Sequence, residues 1–206
     1  MPDPAAALSP GRNISHRRYD PERRDRIIEV CLDVIAEVGV AGVSHRRVAA
    51  AADVPLGSMT YHFTSMDELL REAFNRFAHT VSDRFAQRMS EATNPDEAER
   101  AVVTLITEDV FGSPRDLVLS HELYTLAARE AAYRDITNAW MSRSRAALEL
   151  HFDPLTAVLV DALIEGLTIH RALDIEPQDP EVVIQAVRRV TASDSGRTDS
   201  ERLRRR

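Results

Sequence analysis

The chain has 206 residues, 44% of them hydrophobic and 29% charged, enough to bury a core as one large unit or as a small head on a larger body. Its net charge is −7, with one cysteine and no lysine; an internal disulfide is excluded, and a reducing cytoplasm is the expected compartment. No run of about 18 apolar residues exists, which excludes an apolar membrane-spanning helix, and Met1 to Ser9 lacks the order of a secretory signal.

The charge is uneven. Residues 1–63 hold 8 arginines and 8 acids, whereas residues 64–206 hold 18 arginines and 25 acids. The acidity therefore sits in the C-terminal part and leaves the N-terminal part free to meet an anionic partner.

Residues 1–18 mix Pro, Ala, Gly, Ser and Arg without periodicity and read as a flexible arm. Asp20-Pro21-Glu22 has the capping acid and first-turn proline of a helix start. Ile27, Cys31, Val34, Ile35 and Val38 then recur at helical spacing, and Gly39 stops the run. Cys31 lies on that stripe as core filler. Ser44 caps a second short helix through about Ala52, with Val48, Ala49 and Ala52 inward. Asp53 sits at the turn, where its side chain tolerates a left-handed backbone. A third short helix begins near Pro55 and carries Met59 and Phe63 inward. Ser65-Met66-Asp67-Glu68 has capping-box spacing ahead of a long fourth helix from Met66 to about Ser90.

Further helices are expected at about 95–111, 114–130, 131–151, 154–173 and 179–191. The last residues, 192–206, read as a disordered basic tail. No strand alternation, repeat or heptad array is present. The fold class is all-α with about nine helices: arm 1–18, helix-turn-helix head 19–64, helical body 65–191, tail 192–206.

Two short helices joined by a tight turn on a longer first helix form a helix-turn-helix, whose second helix enters the DNA major groove. The exposed positions of that helix are Gly57, Ser58, Thr60, Tyr61 and His62. Gly57 lets backbone approach DNA, Ser58 and Thr60 offer hydroxyls, and Tyr61 and His62 can donate to phosphates. His45, Arg46 and Arg47 add cations at the start of the preceding helix. The bland alternative is that these are ordinary polar surface residues.

Val48-Ala49 through Asp53-Val54, then Gly57-Ser58-Met59-Thr60-Tyr61-His62-Phe63 and Asp67-Glu68-Leu69-Leu70, resemble the head of the TetR family of bacterial regulators. The resemblance covers about Arg23 to Phe77. It implies a homodimer, a two-fold-related operator and a divergent C-terminal domain that binds a small molecule. By position it puts Arg46, Leu56, Gly57, Ser58, Thr60, Tyr61 and His62 at DNA contacts. Three positions depart from the pattern: Thr60 stands for a usual Tyr, Met66 for a usual Lys, and Pro55 for a capping Ser or Thr. The basic arm, with Arg12, Arg17 and Arg18, could reach the minor groove.

In the body, Leu155 to Leu173 is apolar nearly all round and is expected to bury two faces. Val182, Val183, Ala186, Val187 and Val190 form a second stripe, and the two helices are the expected homodimer interface. His121, Tyr124, Trp140, Glu165 and His170 are polar or aromatic groups in apolar helices and are the candidate effector-pocket residues. Glu165 needs a partner, which Arg171, a residue across the dimer or a cationic ligand could supply.

The expected function is a cytoplasmic homodimeric DNA-binding repressor, released from a palindromic operator by a small-molecule effector. The alternatives are a helical protein-interaction adaptor, or an activator without a ligand. No metal spacing, nucleophile elbow, phosphate loop or paired-carboxylate frame points to an enzyme, a metal or a cofactor. An effector is expected to act by moving the fourth helix and so the spacing of the two heads.

Overall fold

The computed structural model describes residues 21–109, 113–176 and 179–204, with side chains through residue 192 apart from that of Asp109. The basic arm, the Asp20 cap and the last two arginines lie outside the described residues. Nine α-helices occur among them, and no strand: α1 Arg23–Val38, α2 His45–Ala51, α3 Leu56–His62, α4 Met66–Ser90, α5 Pro95–Thr104, α6 Pro114–Arg129, α7 Ala131–Leu148, α8 Pro154–Leu173 and α9 Pro180–Arg204. None is long and apolar enough to cross a membrane.

Local chemistry sets the bounds around the head. Gly39 ends α1 at φ +69°, and a Cβ there would come 2.7 Å from Glu122 Oε1 on α6. The positive φ calls for glycine, while the Glu122 carboxylate ends a flexible side chain that can give way. The Ser44 hydroxyl accepts from the Arg47 N–H at 3.3 Å and opens α2. Asp53 turns α2 into α3 at φ +50°. Ser65 caps α4 by accepting the Glu68 N–H at 3.1 Å. The return half of the capping box is displaced by one residue, because the Glu68 carboxylate takes the Thr64 N–H at 2.6 Å instead of that of Ser65.

Four boundaries differ from the sequence expectation. Helix α1 begins at Arg23, with Glu22 in the capping position but making no side-chain cap bond. Helix α5 stops at Thr104 and opens into a wider π turn, Leu105–Asp109, while residues 110 and 111 of the expected helix lie outside the described residues. Helix α7 ends at Leu148, where the N–H groups of His151 and Phe152 both turn back onto the Leu148 carbonyl at 3.0 Å. That turn carries Phe152 into the core. Helix α9 continues to Arg204, where composition predicts disorder from 192.

Two apolar clusters build the core. The first joins α1, α2 and α3 to the first half of α4 and also takes in Leu119, Leu123, Tyr133, Ile136 and Trp140 of α6 and α7. It therefore runs across residue 64, where the head ends in the sequence. The second holds Phe85 and Met89 of α4, with α5, the end of α7, α8 and α9. Cys31 is fully buried in the first cluster, and burial pushes its thiol pKa up to about 12. Polar ties reinforce the first cluster. The Tyr133 hydroxyl donates to Asp67 Oδ1 at 2.9 Å, Arg115 reaches Asp33 at 2.8 Å, and Arg76 pairs with Asp25.

Helix α8 does not bury two faces within the chain. Ala157, Val160 and Ile164 face the second cluster, while Leu155, Val158, Leu159 and Leu173 are exposed. The α9 stripe also divides: Val183 and Val187 are buried in the chain's own core, and Val182 is exposed. Periodicity marks an apolar face without saying whether the same chain covers it.

Candidate nucleic-acid interface and body cavity

Helix α3 is held by one residue on its inner side, Met59, at 0% exposure. Everything else on it is at least partly open, with Tyr61 at 82% and Leu56 at 49%. An exposed tyrosine on a seven-residue helix is an ordinary surface feature on its own. Its context is a short helix docked by Met59 and Phe63 and turned outward for the rest of its length. A Cβ at Gly57 would meet nothing within 4 Å. No packing within the chain calls for glycine there, although glycine weakens a helix by about 0.5–1 kcal/mol.

The nine sequence candidates do not stand equally ready. Arg46 is exposed. Arg47 is also exposed but folds back, donating to the Gly42 carbonyl at 2.7 Å. The His45 ring is turned inward, with its Nε2 buried and without a hydrogen-bond partner. Thr60 donates to the Gly57 carbonyl on its own helix at 3.2 Å. His62 is half-buried, and its pKa is lowered by desolvation and then by the charges of Arg23 and Arg24. It is thus held neutral, with one ring N–H to offer.

Arg23 and Arg24 were not among the sequence candidates. They stand beside the recognition helix because α1 starts next to the end of α3. Arg24 lies over the Phe63 ring at 5.1 Å and also pairs with Glu72. The one signal in the sequence was a tandem arginine at a helix start.

In the body, Tyr124, Trp140 and Glu165 line one small cavity with Val81, Phe85, Met141, Ser144, Asp161 and Ile164. The Tyr124 and Trp140 rings are nearly parallel, 17° apart with centroids at 6.1 Å. Trp140 is braced edge-on by Phe77 at 5.8 Å. Burial first, then the charge and hydrogen bond of Glu165, push the Tyr124 phenol well above its ordinary pKa. Asp161 is also raised by burial, with Arg145 at 3.3 Å pulling the other way.

The other two pocket candidates are elsewhere. His121 Nδ1 sits 2.8 Å from the Leu117 carbonyl on its own helix, and His170 is exposed on α8. Arg171, one of the three partners the sequence offered for Glu165, donates to the Thr107 carbonyl, and the Tyr124 hydroxyl lies beside Glu165. Asp161 was missed, although a second acid four residues before Glu165 on an apolar helix was visible in the sequence.

The sequence profile of bacterial regulatory proteins, tetR family, matches residues 27–73. Among curated proteins, the HTH-type transcriptional regulator BetI 1 of Chromohalobacter salexigens is 31% identical over 84 residues, 40% of this chain. The chain spans only 42% of that relative's length. Solved structures match further. The candidate transcriptional regulator SCO7518 of Streptomyces coelicolor A3(2) is 56% identical with a TM-score of 0.78, over 83% of this chain and 99% of that one. SCO1917 of Streptomyces coelicolor A3, a member of the TetR family, is 34% identical with a TM-score of 0.66, over 83% of this chain and 99% of its own. The chain belongs to the TetR family. The multidrug-binding protein EbrR, solved with ethidium, is similar too, at 33% identity and a TM-score of 0.69, over 82% of this chain and 99% of its own.

Within a TetR head, the three departures have local causes here. Met66 is partly buried against the first cluster, so an apolar contact stands where a lysine would meet phosphate. Pro55 opens α3 without a side-chain cap; its carbonyl takes the Ser58 N–H at 2.8 Å. Thr60 is shorter than tyrosine and already bonded, which leaves Tyr61 as the longest side chain on the outer face of this TetR helix.

Proposed function

We propose that the chain acts in the cytoplasm as a homodimeric repressor, gripping a two-fold-related operator with its heads and released by a small molecule in the body. Arg46, Gly57, Ser58, Tyr61 and His62 are the contacts we assign to DNA, with Arg23 and Arg24 adding charge beside them. His45, Arg47, Leu56 and Thr60 are secondary in this reading. The head of 19–64 and the body of 65–191 are functional units that share one core.

The observation that carries the proposal is the reach of α4. At one end Ser65 and Glu68 fasten the exit of the recognition helix. At the other, Val81 and Phe85 line the body cavity. A change at the cavity is therefore a change along one 25-residue helix, and operator half-sites separated by about one helical turn are sensitive to head spacing. EbrR is named as a multidrug-binding protein, which favours a small-molecule site in this body as well.

The dimer reading rests on α8. Leu155, Leu159, Ala162, Gly166, Ile169 and Leu173 repeat at alternating steps of four and three, and all but the half-exposed Ile169 are exposed. That spacing lines the six residues along one face of α8. A Cβ at Gly166 would meet nothing within the chain, so Ala162 and Gly166 leave room for a second α8 to cross closely at a two-fold axis.

The test is a gel shift on genomic fragments, with native mass spectrometry for stoichiometry. Arg46→Ala and Tyr61→Ala should each weaken binding by about 10-fold, within the usual 1–3 kcal/mol per contact. Binding unchanged in both variants would remove the DNA-reading assignment.

A further inference from the structure

Tyr133, in the first turn of α7, is 1% exposed, yet its hydroxyl reaches the edge of the first cluster and donates to Asp67 Oδ1 at 2.9 Å. Asp67 Oδ2 takes the Arg71 Nε–H, also at 2.9 Å. The two carboxylate oxygens thus have separate partners, one on α4 itself and one on α7. Burial, and then the hydrogen bond and charge of Asp67, push the Tyr133 phenol above its ordinary pKa, so it stays a neutral donor. The donor is also well braced. Phe74 meets its ring edge-on, and the neighbouring Arg134 ties this end of α7 to the Ala127 carbonyl of α6 at 3.2 Å.

Asp67 lies in the turn that Ser65 caps, four residues after Phe63 closes α3. Other polar bonds gather there. Glu68 takes the Thr64 N–H, and Arg24 pairs with Glu72 while lying over the Phe63 ring. Those bonds fasten the head to α4, but none of them sets where that unit stands against the body. Apolar packing between α4 and α7 is non-directional and tolerates a small slide. A hydrogen bond to a carboxylate is directional and strong. A buried tyrosine is ordinarily core packing, and packing accounts for the ring, which phenylalanine would supply as well. It does not account for a hydroxyl spent on a carboxylate that is more than half exposed and already paired with Arg71.

We propose that Tyr133 is a positioning residue for DNA binding, its hydroxyl setting the register of the first turn of α4, and with it α3, against α7. The role in DNA binding rests on the operator reading above; the register itself does not.

Tyr133→Phe keeps the ring and removes only the hydroxyl. Amide hydrogen exchange of the full chain without DNA reads the register. Exchange over residues 56–70 should quicken by about 10-fold, the worth of a hydrogen bond to a charged group, with residues 154–173 within about two-fold of the parent. Unchanged exchange over 56–70, or equal quickening over 154–173 from a general loosening, would overturn the register. Operator affinity then reads the role. Tyr133→Phe and Asp67→Ala should each weaken it by about 5-fold, and the double variant should lose no more than about two-fold beyond either. Full operator affinity in Tyr133→Phe, or losses that multiply in the double variant, would overturn the role in DNA binding. A parent that binds no genomic fragment would remove the operator reading and this role with it, and leave the register to the exchange result.

Discussion

The two ends of α4 are packed by different rules. Near its start, Leu69, Ala73 and Phe74 are fully buried between the head helices and α7, and Phe74 meets Tyr133 edge-on at 6.1 Å. Ten residues on, Val81 is half-buried, and with Phe85 it stands between a small cavity and an open crevice. One helix is thus clamped where geometry must be held for a DNA groove and loosely filled where the body has room to change. Close-packed interiors transmit displacement, and voids absorb it. A shift begun at Phe85 therefore reaches the head only insofar as α4 moves as a rod. The slack lies beside the second cluster, whereas the head is ordered by the first, to which α6 and α7 contribute.

The strongest way to break this contrast is at Phe74. Phe74→Ala should cost about 3–5 kcal/mol in urea melting and weaken head and body together, in one transition. Two separated transitions would show that the first cluster does not join them. Next comes the exposed face of α8. Leu159→Arg should give a monomer by size-exclusion with light scattering, keep its helical signal, and lose about 100-fold in operator affinity as the second head is no longer tethered. Full affinity from a monomer would dissolve the link between body and head. The smallest effect concerns the α4 cap. The Thr64 hydroxyl and N–H lower the Glu68 pKa, so the ionised form stabilises the fold. That contribution is complete above the ordinary carboxylate pKa and fades as pH falls through the lowered folded value. Glu68→Gln should therefore melt slightly lower than the parent at pH 7, with the gap closing in acid. A gap that widened in acid would reverse the sign of the argument.

Much of the frame was legible because short-range chemistry decides it. Ser44, Asp53 and Ser65 mark their turns by side chains that bond or bend the local backbone, and the starts of α2, α3 and α4 follow. The π turn at Leu105–Asp109 was not legible, since nothing in Leu-Ile-Thr-Glu-Asp distinguishes a wider turn from a continued helix. The site was legible in part. Helical phase alone places Tyr61 and Gly57 outward. The inward turn of His45, the bond from Arg47 to Gly42 and the approach of Arg23 and Arg24 to His62 depend on neighbours distant in the chain or on rotamer choice. Glu165 was conspicuous as an acid in an apolar helix; its companionship with Tyr124 required α6 and α8 to be packed. One apolar face of α8 packs into the chain's own core, and the other, expected at a homodimer interface, is exposed in the single chain.

Cys31 has a consequence for measurement. Its thiol is at 0% exposure in the cluster that joins α1, α3 and α4, and its pKa of about 12 keeps it protonated at neutral pH. An alkylating reagent attacks thiolates, so it reacts here only in molecules whose head has come open. The chain thereby carries its own clock for that event, at a position where no label need be engineered. Timed alkylation with and without operator would read how firmly DNA holds the head shut.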